Sequence, residues 1–98
     1  MATGVLDIHQ AIAEGIVQEL SKNWKARAIR LHGRWVIELY ISKSSNLKVT
    51  LARIVLCPEF ISVLVYGSST HRYFQYDDRE LVNGIDRYLD ETLTKLYD

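Results

Sequence analysis

The stretch "KNWKARAIRLHGRWVIELY", residues 22–40, decides how the chain folds. It alternates in a period of two on both sides of His32-Gly33, a dipeptide suited to a two-residue hairpin turn in which glycine supplies a positive φ. Folding the stretch there sets Leu31 opposite Arg34, Ile29 opposite Val36, Arg27 opposite Glu38 and Lys25 opposite Tyr40. The alternate positions pair Arg30 with Trp35, Ala28 with Ile37 and Ala26 with Leu39. This register matches Arg27 with the one acid in the stretch, a cross-strand pair that contributes roughly 0.2–1 kcal/mol. It also sorts the two faces. Ile37, Leu39 and the two alanines suit a surface that helices approach closely, with Arg30 over Trp35 at its rim. Lys25, Arg27, Ile29, Arg34, Val36, Glu38 and Tyr40 fall on the reverse.

Working outward, the period of two continues through "LKVTLARIVLC" (47–57), "FISVLVY" (60–66) and "HRYFQY" (71–76). The connections "SKSSN", Pro58-Glu59 and "GSST" are short enough only for antiparallel neighbours, because parallel strands need long crossovers. Pairing across "GSST" sets Phe74 by Val63 and Tyr76 by Ile61 on one side, Tyr73 by Leu64 and His71 by Tyr66 on the other. The third strand conflicts with itself. Its first half turns Val49 and Leu51 inward and its second half Ala52, Ile54 and Leu56, so a β-bulge is expected near Ala52-Arg53.

The flanks change period. Val5, Ile8, Ile12, Ile16 and Leu20, with Ala11 and Ala13 nearby, make one helical stripe, within which Gly15 would permit close packing on the sheet. "DDRE" offers Asp77 as an N-cap with Glu80 three residues on, and Leu81, Ile85, Tyr88, Leu89, Leu93 and Leu96 form a second stripe. The predicted fold is α+β: a two-layer sandwich of helix, five-stranded antiparallel meander and helix, with both helices on one face of the sheet.

Ninety-eight residues, 48% of them hydrophobic, fit one domain with one core. The formal charge of zero conceals a segregation. Residues 1–21 carry Asp7, Glu14 and Glu19, for −3. Residues 22–76 carry nine bases against Glu38 and Glu59, for +7, and residues 77–98 carry seven acids against Arg79, Arg87 and Lys95, for −4. The expected molecule has an acidic helical layer and a basic sheet. Its start, "MATGVLDIHQ", lacks the pattern of a signal peptide, and no apolar run is long enough to cross a bilayer. Cys57 has no second cysteine to bridge. A cytoplasmic protein that does not enter membranes is expected.

If both helices cover one side, the other presents Val36, Tyr40, Leu64, Tyr66 and Tyr73 beside Lys25, Arg27, Arg34 and Arg53. Solvated sheet faces normally alternate to polar residues, and large bare apolar patches mark contact sites. The composition fits an interface core, so a homodimer or a protein partner, in an interaction or regulatory role such as an inhibitor or adaptor, is the first expectation. The alternative is nucleic acid, with aromatic rings stacking bases and arginines tracking phosphates, although the strands hold no "GFGFV"-type pattern. The two differ in salt response, which is steep for nucleic acid.

Catalysis has little support. His9, His32 and His71 show neither HExxH nor paired Cys/His spacing, and no GxSxG, Walker-type or GxGxxG pattern occurs. Cys57 before Pro58 reads as a small buried hydrophobe, and Asp77 and Asp78 as capping residues. No catalytic residue, metal ligand or cofactor is expected, and the chain is expected not to be an enzyme. The order helix, meander, helix resembles the layout of frataxins and, with fewer strands, of double-stranded-RNA-binding domains and the signal-recognition-particle Alu proteins. The first helix lacks the acidic ridge of frataxins, and "DDRE" stands where the double-stranded-RNA-binding domains carry lysines. The Alu proteins combine a basic sheet face with dimerisation, a likeness of composition and not of motif.

Overall fold

The computed structural model describes residues 4–69 and 71–97. Its elements run α1 (Gly4–Leu20), β1 (Lys25–Leu31), β2 (Arg34–Ser42), β3 (Lys48–Leu56), β4 (Ile61–Val65), β5 (His71–Phe74) and α2 (Leu81–Tyr97). The five strands pair antiparallel in sequence order, a plain meander. Helix α1 lies against β1 and β2, and α2 against β4. Both bury their stripes in one cluster with the same side of the sheet. Ala13, Ile16 and Leu20 from α1 and Leu81, Ile85, Leu89 and Leu93 from α2 meet Ile37, Leu39, Ala52, Ile54, Leu56, Ile61, Val63, Val65 and Phe74. The α+β sandwich expected from the sequence is therefore the fold, with one face of the sheet left without a helix. No helix among the described residues is long and apolar enough to cross a membrane.

The first hairpin has the register read from residues 22–40 at every pair. Its turn holds two left-handed residues, His32 (φ 52°) and Gly33 (φ 78°). Two positive φ values in a two-residue loop match the twist of the flanking strands, which leaves no slack for a register slip.

The last hairpin is shifted by two residues from the expected pairing. Ile61 faces Phe74, Ser62 faces Tyr73 and Leu64 faces His71. The cause is the turn. The Ser68 N–H donates to the Val65 carbonyl (3.0 Å), with Gly67 left-handed (φ 93°). Tyr66 is thereby drawn out of the strand and into the loop, and Thr70 of that loop lies outside the described residues. A shift of two preserves facing, so Phe74 still enters the core and Tyr73 still points away from it.

The bulge in β3 lies one residue earlier than Ala52-Arg53. Ala52 faces Leu39 while Thr50 faces Tyr40, so Leu51 is the extra residue. Leu51 and Ala52 both enter the one core cluster although adjacent in sequence, which the alternation of a regular strand would not allow. The Leu51 carbonyl accepts the Tyr66 N–H (3.0 Å), which carries the β3–β4 pairing one residue past Ala52 and Val65.

Three helix expectations are corrected. Helix α2 begins at Leu81, and the Gly84 N–H donates to the Glu80 carbonyl, which places Glu80, not Asp77, in the N-cap position. Two successive turns, Gln75–Asp78 and Asp78–Leu81, delay the helix, and the Glu80 N–H donates to Asp78 Oδ1 (2.9 Å) within the second. Ile8 of α1 and Leu96 of α2 are exposed and lie off the buried stripes, while the side chain of Val5 lies outside the described residues. Gly15 is exposed and a Cβ there would touch nothing; the glycine in close approach is Gly84, where a Cβ would lie 3.3 Å from Phe74 Cε2.

Candidate functional site: the open sheet face

Because Ala26 and Ala28 pack toward the helices, Lys25, Arg27 and Ile29 of β1 point to the uncovered side. The register carries this face across Val36, Glu38 and Tyr40 of β2, Arg53 and Val55 of β3, Ser62 and Leu64 of β4, and His71 and Tyr73 of β5. The sequence placed most of these side chains correctly, but not their environment.

Glu38 is the centre of the basic half. It stands between Arg27 and Arg53 in one row across three strands. Arg27 donates from Nε (3.2 Å) and Nη2 (3.0 Å) to Oε1, and Arg53 donates from Nη2 (2.8 Å) to Oε2. Only 5% of Glu38 is exposed. Burial by itself raises the pKa of this carboxyl, but the hydrogen bonds from Arg53 and Arg27 and their charges outweigh it, and the net direction is down. The second arginine was not read from the sequence, because the bulge obscured which β3 residue stands opposite Glu38.

Val36, flanked by Ile29 on one strand and Val55 on the other, is only 2% exposed within the single chain. It was expected to be bare and is not, so it offers a partner little area. Tyr40 is half-buried with two cations over its ring, Arg27 Cζ at 5.4 Å and Lys48 Nζ at 5.2 Å from the centroid. Lys48 was also missed, since its facing depends on the bulge between it and Arg53.

The half of the face on β4 and β5 is aromatic and apolar. Leu64 is half-buried, Tyr66 exposed and Tyr73 60% exposed. Phe60, just ahead of β4, packs edge-on against Tyr73 with ring centroids 5.3 Å apart, and His71 stacks on the other ring at 6.1 Å. Near the β1–β2 turn, Arg34 is exposed and its Nη1 lies 3.3 Å from the Sγ of buried Cys57. The Tyr76 hydroxyl donates to the Cys57 carbonyl (2.6 Å). Burial first, and then the negative charge Cys57 can carry, push the Tyr76 phenol up to about 12 against the pull of Arg34.

The face therefore joins Lys25, Arg27, Arg34, Lys48 and Arg53 to a single acid, Glu38, and borders them with Leu64, Phe60 and Tyr73. Among the described residues no three His, Cys, Asp or Glu side chains group as a metal site. Compared with protein-family models, with curated proteins and with solved structures, the chain has no match.

Proposed function

We propose that this domain is a non-enzymatic interaction module whose open sheet face docks onto a protein surface with an apolar patch beside an acidic one. The carrying observation is the pairing on one uncovered face of five cations, balanced only by Glu38, with an exposed aromatic border. Interface cores favour Tyr, Phe and Arg, and complementary charge steers the encounter. A symmetric pairing of two such faces would set basic halves on each other or on the aromatic halves, depending on the axis, and in neither case gives the cations acids to meet, so the favoured occupant differs from this chain.

A nucleic acid is the less favoured occupant for two physical reasons. Glu38 sits among the arginines that would have to track phosphates, and engages two of them. Tyr40 already has Arg27 and Lys48 over its ring, and Tyr73 is engaged by Phe60 and His71, so neither is an unhindered platform for a base.

The test compares immobilised wild-type domain with Leu64→Asp, with Lys25→Glu/Arg34→Glu, and with Lys95→Glu on the helical side. Each is exposed to the same extract with and without nuclease treatment, and each is measured for mass in solution at low and high salt. The expected result is a stoichiometric protein that Lys95→Glu retains and both sheet-face variants release, from domains that keep their circular dichroism and melting transition. Equal capture by all four, loss of capture on nuclease treatment, or a salt-insensitive dimer abolished by Leu64→Asp would overturn this reading in favour of no site, nucleic acid, or a second copy, respectively.

A further inference from the structure

At the end of the sandwich bearing the β1–β2 turn lies a pocket of about 200 Å³ that shares Arg34 with the open face. Its lining includes His9 from α1, His32 and Arg34 on either side of the turn glycine, Trp35, Leu56 and Pro58. The polar side chains among these are all potential hydrogen-bond donors: two imidazoles, a guanidinium and an indole. No carboxylate lines the pocket among the described residues. Leu56, the Trp35 ring and Pro58 supply an apolar wall.

Several features of this donor set are unexplained by the fold. Arg34 makes no ion pair among the described residues; its recorded contact is the Cys57 sulfur. Trp35 Nε1 is buried without a hydrogen-bond partner, which is unfavourable for an indole N–H. His32 holds a left-handed backbone (φ 52°) in a turn position that Asn or Gly adopts more easily. His9 is fixed by stacking on Tyr76, with centroids 5.3 Å apart and planes 14° from parallel. Donors from three segments lining one pocket, a hydrophobic wall and no acid among the described lining residues suit a small organic anion. A guanidinium grips an oxyanion with paired N–H groups, and imidazoles add donors from other directions.

We infer that this pocket binds a small organic carboxylate, its oxyanion held by Arg34, His9 and His32 and its apolar body against Trp35, Leu56 and Pro58. The volume is below that of pockets for drug-sized ligands, so the occupant is no larger than a single substituted ring or a short branched chain.

The test is titration of the ¹⁵N-labelled domain with benzoate and with the neutral isostere benzamide, read at the Trp35 indole N–H resonance. Benzoate is expected to give a saturable shift, with benzamide weaker by about tenfold or more, the factor that losing a charge-assisted hydrogen bond gives. His9→Gln and Arg34→Gln are each expected to weaken benzoate about tenfold, while Lys25→Gln, on the open face, leaves it unchanged. His9→Gln separates this site from the protein-docking face, because it weakens benzoate and leaves capture of the partner intact. No saturable benzoate shift, or equal affinities for benzoate and benzamide in the wild-type domain, overturns the inference without reliance on any variant.

Discussion

Replacing Glu38 with Gln removes the charge from the centre of the sheet face while keeping the side chain's shape. The wild-type carboxylate accepts three N–H bonds from two arginines and is nearly buried. Had all three groups been buried, removing one charge would cost about 3–5 kcal/mol. The arginines are not: their side chains are 49% and 35% exposed, and on losing the carboxylate each turns toward water. Exposed pairs contribute about 0–1 kcal/mol, so a half-shielded row of two lies between the limits, at about 2 kcal/mol. In a domain of this size that lowers Tm by about 8–16 °C. The pH dependence supplies a second reading. The folded-state pKa of Glu38 lies below its ordinary value of 4.5, so this carboxylate's contribution is fully present above that value. It disappears as pH falls through the lower, folded-state value. Urea unfolding followed by tryptophan fluorescence should therefore separate wild type from Glu38→Gln at pH 7, and the gap should narrow as pH is lowered below 4.5. A difference at pH 7 under about 0.5 kcal/mol, or one that does not narrow in acid, would refute the account of the row as a net stabiliser.

Tyr76→Phe removes a hydroxyl that donates to the Cys57 carbonyl and should cost about 0.5–1.5 kcal/mol at neutral pH, measured by chemical denaturation. The same variant should lose part of the wild type's alkaline destabilisation. With the phenol raised to about 12, its neutral form is favoured in the fold, and that contribution declines as pH rises from the ordinary value of 10.0. Gly84→Ala sets two opposed effects against each other: alanine favours the helix by about 1 kcal/mol, and its Cβ meets Phe74 Cε2 at 3.3 Å. Phe74 is buried beneath Tyr88, so the ring has little room to yield, and the expected outcome is no gain in Tm. Gly15→Ala, where a Cβ meets nothing, should instead raise Tm by several degrees.

How far the sequence could be read depended on how rigidly each turn joins its neighbours. Residues 25–40 were legible to the residue because a two-residue loop allows one register, and the only acid confirmed it. The β4–β5 pairing slipped by two because a hydrogen-bonded turn around Gly67 can begin at Val65 or one residue later with the same composition. The facing of each side chain survived, since pleat alternation depends on parity and not on the absolute pairing. The bulge was visible as a conflict of periods, but Leu51 and Ala52 are both apolar, so their order gave no sign of which was the extra residue. That ambiguity propagated into the site: Arg53 opposite Glu38 and Lys48 over Tyr40 both depend on where the bulge falls. The start of α2 was obscured because Asp-x-x-Glu is compatible both with a capping box and with the Asp78 turn that precedes this helix. The pocket at the sheet's end was illegible for a different reason, since His9, His32 and Pro58 meet only through tertiary packing.

The uncovered face raises a physical question that its composition alone would answer wrongly. A bare sheet surface with Val36, Ile29, Val55, Leu64 and Tyr73 ought to be costly in water, yet Val36 and Glu38 are buried there without any covering element. The neighbouring side chains supply the cover. Valine and isoleucine on adjacent strands close over Val36, and the aliphatic stems of Arg27 and Arg53 reach toward Glu38 while their guanidinium heads remain partly in solvent. The basic half of the face is in this sense self-shielding, and the apolar area left for a partner is concentrated at Leu64, Phe60 and Tyr73. A docking protein would gain hydrophobic contact there and meet the arginines at the side, where Glu38 already occupies three of their N–H groups. An acidic residue of the partner would then share guanidinium groups that are already oriented, so less side-chain freedom is lost on binding than for unrestrained arginines. It follows that Glu38→Gln should affect partner capture through two opposing terms: more net positive charge, which speeds association at low salt, and looser arginines, which speed dissociation. Surface plasmon resonance of the captured partner at two salt concentrations resolves them, and an unchanged dissociation rate would sink the idea that Glu38 pre-orients the face.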